Sequence, residues 1–97
     1  MKRYKVDISP FAYTEILDSV AFLMNASKEA AEELYKVVME GISSLQEFPF
    51  RCPVDSTYNV ASEEERKMLF CNGRYQLFYC VSDDVVYVEC FHDSRRK

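Results

Sequence analysis

Residues 3–8, "RYKVDI", alternate polar and apolar side chains and predict a short strand. "SP" then punctuates the chain. Ser9 is placed to cap a helix and Pro10 fits its first position, where no N–H is needed. Ala12, Ile16, Leu17, Val20, Leu23 and Met24 recur at helical spacing and form the predicted buried stripe. "NAS" interrupts it. Ser27 is a second cap, and Glu29, Glu32 and Glu33 sit near the positive end of the helix that follows. Its apolar stripe is Ala31, Leu34, Val38, Ile42 and Leu45, and Phe48-Pro49 ends it. Two helices so closely joined predict an antiparallel hairpin. Residues 49–65 show no period and read as a long loop.

Beyond the loop the period falls to two. "RKMLFC", "RYQLFYCV" and "VVYVECFH" are separated by Asn72-Gly73 and by Ser82-Asp83-Asp84. Asn-Gly between apolar runs signals a tight hairpin, so a three-strand meander is predicted. The expected architecture is α+β, in the order β-α-α-β-β-β. A helical hairpin packs on one face of a small, mostly antiparallel, twisted sheet that the first strand extends.

Two-residue turns put Phe70 opposite Tyr75 and Val81 opposite Val86, and alternation then assigns the faces. Arg66, Met68, Phe70, Tyr75, Leu77, Tyr79, Val81, Val86, Val88, Cys90 and His92 are expected toward the helices. Lys67, Leu69, Arg74, Gln76, Phe78, Cys80, Tyr87, Glu89 and Phe91 are expected on the open face, with Lys67 and Glu89 flanking Phe78. Aromatics interleaved with charged and amide groups suit a protein partner first. An ordinary exposed sheet with cross-strand pairs comes second and nucleic acid third. His92, the single histidine, falls at the helix-side rim, where a packed role is the commoner one.

The 97 residues make one domain, 1–97, with a net charge of −4. That balance speaks against a nucleic-acid binder, but it is uneven. Residues 1–65 carry six Lys/Arg against twelve Asp/Glu; residues 66–97 carry six against four. Two solvated, Glu-bearing helices explain the acidic part and leave the C-terminal third basic. The four cysteines form no C-x-x-C pair, and with one histidine no zinc set is expected, nor any cofactor. No secretory signal or membrane span is visible, so a cytoplasmic protein with reduced thiols is expected.

Three stretches together resemble the RelE/ParE toxins of bacterial type II toxin–antitoxin systems. They are "VDISPFAYTEILDSVAFL", "GISSLQEFPFRCPV" and "NGRYQLFYCVSDDVVYVECFHDSRR", which follow the family's order across nearly the whole chain. The resemblance implies one of two actions, each silenced by an antitoxin whose disordered segment folds across the toxin. RelE-like members are metal-independent mRNA interferases that cleave messenger RNA on the ribosome. ParE-like members bind and block DNA gyrase.

Carried over residue by residue, the nuclease role falls to Lys67, His92 and Arg95, and the ribonuclease alternative adds Arg74. The arginine usual inside the family's "Y-R-L-V-Y" is Gln76 here, a second basic position is Leu69, and no C-terminal tyrosine follows. Gln brings no charge to a phosphate, and preorganised charge is the large catalytic contribution. The ParE-like branch is therefore the expected one, with a decayed, non-toxic member as a further reading. Antitoxin contacts are expected at Gln76, Phe78, Tyr87, Glu89, Phe91 and Arg96. The exposed edge and aromatic face leave a homodimer open.

Overall fold

Both helices start where their caps predict. In the computed structural model, which describes residues 2–55 and 64–95, Ser9 Oγ accepts from the Ala12 N–H at 3.0 Å and Ser27 Oγ from the Ala30 N–H at 3.1 Å. The elements are β1 (Lys5–Ile8), α1 (Pro10–Met24), α2 (Lys28–Ser44), β2 (Glu65–Phe70), β3 (Tyr75–Ser82) and β4 (Val85–Asp93). They form the expected α+β arrangement. The sheet order is β1-β4-β3-β2, with β1 parallel to β4 and the other pairs antiparallel.

The α2 stripe Ala31, Leu34, Val38 and Ile42, continued by Leu45, is buried throughout. It packs on Met68, Tyr75, Leu77, Tyr79, Val86 and Val88. Gly41 marks the closest approach: a Cβ there would lie 2.9 Å from both Met68 Sδ and Phe70 Cε1. α1 departs from its expected stripe. Leu17 and Met24 are exposed, while Ser19 is buried beside Ala12 and Ile16. Ten of its fifteen residues are apolar, so apolarity alone could not tell its inner face from its outer one.

Phe70 pairs with Tyr75 and Val81 with Val86, as the turn signals predict. The first turn takes in Cys71 and Asn72 at φ 54° and 58° before Gly73 at 87°. Asn and Gly tolerate this left-handed region; Cys71 does so at a cost on the order of 1 kcal/mol.

The loop after α2 is only partly loop. Val54 bridges to Arg66, the Asp55 N–H donates to the Glu65 carbonyl at 2.7 Å, and the Lys67 N–H to the Pro53 carbonyl at 3.1 Å. Residues 53–55 therefore run along the outer side of β2 and take up edge groups that would otherwise invite pairing.

One irregularity overturns part of the face assignment. Phe78 pairs with Cys90 but Tyr79 pairs with Val88, which leaves Glu89 as an extra residue in β4. This β-bulge reverses the alternation beyond it. Phe91, expected on the open face, turns inward and is 1% exposed, stacked on Tyr75 at 5.7 Å. Cys90 and His92, expected toward the helices, turn outward. Side chains from the start of α1 fix the bulge. Ser9 Oγ donates to the Glu89 carbonyl at 3.1 Å, and Glu15 Oε1 accepts from the Phe91 N–H at 2.9 Å. Burying the Phe91 ring contributes about 2–3 kcal/mol, which favours the bulged register.

Candidate functional site

The sheet face away from the helices carries three same-facing rows. They are Glu65–Cys80–Tyr87, Lys67–Phe78–Cys90 and Leu69–Gln76–His92. Two predicted anchors do not stand there as exposed rings. Phe91 belongs to the helix-side core. Phe78 holds its expected face but is only 1% exposed, with the edge of the His92 ring against it at 5.9 Å. Its cross-strand neighbours are Lys67 and Cys90, not Lys67 and Glu89, because the bulge displaces Glu89. Gln76 is half-buried, Tyr87 and Glu89 stay exposed, and Leu69 presents an open apolar side chain. Arg96 lies outside the described residues.

The expected cations do not converge. Lys67 Nζ is 2.7 Å from Asp55 Oδ2, an ion pair half-shielded from water. Arg74 does not reach the open face. Its guanidinium lies over the Tyr75 ring at 5.2 Å, and its Nε donates to Asp93 Oδ1 at 3.4 Å. That bond raises the Arg74 pKa further. Asp93 Oδ1 also accepts from the Arg95 N–H at 3.0 Å, while Oδ2 is buried without a partner among the described residues. The Arg95 side chain is exposed at the chain's end. Lys67 and His92 share a face in adjacent rows; the Arg74 side chain turns instead to Asp93, which Arg95 meets through its backbone N–H alone.

One end of this face is acidic, which the segment charge did not indicate. Glu65 is 7% exposed, and burial pushes its carboxyl up to about 7, helped by a hydrogen bond to Glu89 and by the charges of Glu89 and Asp55. Two carboxyl groups in hydrogen-bond contact share a proton. The Cys80 thiol lies 3.6 Å from Glu89 Oε2. Burial pushes Cys90 up to about 12, with Glu15, Glu65 and Glu89 adding to it, so it is an inert thiol at neutral pH. Glu65 stood in the sequence only as part of an acidic triplet. Its burial follows from pairing with Cys80, which the loop reading did not include.

A second exposed apolar surface is on α1. Phe11 is 64% exposed, and Tyr13, Leu17, Phe22 and Met24 are each at least two-fifths exposed. α1 carries two acidic residues and no basic ones. The signal was present in the sequence as a helix apolar on nearly every side. Among the described residues no group of His, Cys, Asp or Glu could hold a metal ion, and no helix is long and apolar enough to cross a membrane. No protein-family model and no curated protein matches this chain.

Proposed function

We propose that this chain is the toxin component of a type II toxin–antitoxin module of the ParE-like kind. It acts in the cytoplasm by binding a cellular target such as DNA gyrase, and a cognate antitoxin neutralises it. The supporting observation is the pairing of this element order with an α1 that exposes large apolar side chains. Five large apolar side chains are exposed along one helix, Phe11 and Phe22 on one flank of its buried stripe and Tyr13, Leu17 and Met24 on the other. An antitoxin segment laid along either flank would cover part of them. Tyr87, Glu89 and Gln76 offer a polar continuation on the sheet face.

The dispersal of Lys67, Arg74, His92 and Arg95 favours binding over RNA cleavage. Phosphodiester cleavage needs positive charge preorganised at one phosphate, and here the charges of Lys67 and Arg74 are each engaged by a carboxylate. Induced expression in a bacterial host tests the reading. Growth arrest with filamentation and DNA damage, relieved by the small protein encoded beside it, is the expected result. Arrest with cleaved messenger RNA would assign it to the ribonuclease kind, and absence of arrest to a decayed member.

A further inference from the structure

At the opposite end from the β2–β3 turn, the segment after α2 folds back toward β1 and leaves an open, shallow cavity of about 400 Å3. Tyr4, Phe48 and Phe50 supply its aromatic walls, and Lys2 and Arg51 stand at its rim. Its volume lies in the range of small-molecule sites. Phe48 and Phe50 are 53% and 56% exposed, so their rings are presented outward.

The floor beneath these rings is fixed. Pro49 is buried and its carbonyl accepts from the Tyr79 hydroxyl at 2.8 Å. The Tyr4 N–H donates to the Gln46 carbonyl at 2.8 Å, and the Tyr4 ring meets Phe50 edge-on at 6.1 Å. Arg66 Nη1 donates to the Cys52 carbonyl at 2.6 Å and its guanidinium covers Phe50 at 5.1 Å. A ligand would meet walls already in place, which spares the ordering cost of binding.

The electrostatics select the ligand. Lys2 is paired with Asp84 at 2.7 Å, and Arg3 lies 3.9 Å from Glu47. Arg51 and Arg66 are different. Arg51 Nε and Nη2 both donate to the neutral Ser44 hydroxyl, at 3.2 and 2.9 Å, and Arg66 donates to backbone carbonyls. Neither has an acid within ion-pair distance among the described residues. Two guanidinium groups with no acid in ion-pair distance among the described residues thus stand beside exposed aromatic rings, and the cavity's one lining carboxylate, Glu47, lies beside Arg3. That combination takes a planar ring carrying an anionic group: the ring stacks and the anion meets the arginine fork.

We propose that this cavity binds a nucleotide, with the base against Phe48 and Phe50 and the phosphate at Arg51. The site stands apart from the sheet face and from α1, so it does not depend on the toxin reading. The same chemistry is offered by a free mononucleotide and by a nucleotide within a single strand.

Calorimetric titration of the full chain separates the two sources, using AMP, a short oligoribonucleotide and a Glu/Tyr copolymer peptide as probes. AMP binding that weakens roughly tenfold in Arg51→Ala and in Phe48→Ala is expected, with Phe48→Tyr retaining most of it and Arg51→Lys, a point charge without the fork, falling between wild type and Arg51→Ala. Binding of the oligoribonucleotide alone, with the same dependence, upholds the site and makes a strand its ligand. Both positions are exposed, and thermal melting identifies any variant that unfolds; the Tyr and Lys variants then carry the comparison with Lys28→Ala at the start of α2, which should change binding less than about twofold. No binding of either nucleotide probe, binding indifferent to Arg51 and Phe48, or binding of the copolymer in their place would overturn the proposal.

Discussion

Lys67 and Arg74 on the meander each meet a carboxylate, at 2.7 and 3.4 Å, whereas Arg51, after α2, and Arg66, beside Lys67 on β2, rest on neutral oxygens. The segment charge does not foretell this division: Arg51 stands in the acidic first two-thirds and Arg66 in the basic C-terminal third with Lys67 and Arg74. Formal charge along a segment counts residues; the field at a surface depends on which acids fold against which bases. Here Asp55 arrives from the loop and Asp93 from the end of β4 to quench the expected cations. The acidic pair Glu65 and Glu89 then gives the open face its local sign.

The same contrast runs through the aromatics. Phe91 is enclosed in the helix-side core while Phe48 stands outside. Phe91→Ala should therefore lower unfolding stability by about 3–5 kcal/mol in urea titration, against less than about 0.5 kcal/mol for Phe48→Ala. Similar small losses for both would mean that the bulge at Glu89 is absent and Phe91 faces outward.

The pH dependence of stability separates the two regions next. Folded Glu65 holds its proton up to about pH 7, whereas an ordinary glutamate releases it near 4.5. Between those values the native state binds more protons than the unfolded state, so this group makes stability fall as pH rises. The penalty is absent below pH 4.5 and complete above about pH 7. Glu65→Gln keeps a donor to Glu89 and should gain on the wild type across that window, by up to a few kcal/mol. A constant difference between the two proteins from acid to neutral pH would remove the shared proton from the account.

Arg74→Ala should cost about 1–3 kcal/mol at neutral pH, because it strips a buried Asp93 oxygen of its charged partner. Asp55→Asn, at the partly exposed pair with Lys67, should cost less than about 1 kcal/mol in the same denaturation assay. If the two rank in reverse order, Lys67 is the more firmly held cation.

Much of the fold was legible because its signals are local. Ser9, Pro10 and Ser27 mark helix starts, the α2 stripe repeats at helical period between charged residues, and Asn72-Gly73 sets the register of β2 on β3. The bulge was not legible. An extra residue in a strand leaves no mark on a period-two pattern until tertiary contacts choose between the two phases, and here Ser9 and Glu15, some eighty residues away, make that choice. The site fared less well for the same reason. Lys67, Gln76, Tyr87 and Glu89 lie on the expected face. Phe91 and His92 exchanged faces at the bulge, and Phe78 closed beneath His92. The cavity at Phe48 and Phe50 lay in a stretch that showed no period, and its walls come together only through Tyr79, Arg66 and Tyr4.

The contrast between the paired and the unpaired cations is tested most directly by two-dimensional amide NMR of the chain titrated with AMP. Shifts confined to Tyr4, Phe48, Phe50 and Arg51 are the result predicted here. Shifts centred on Lys67, Gln76 and His92, with the α2–β2 turn silent, would contradict it.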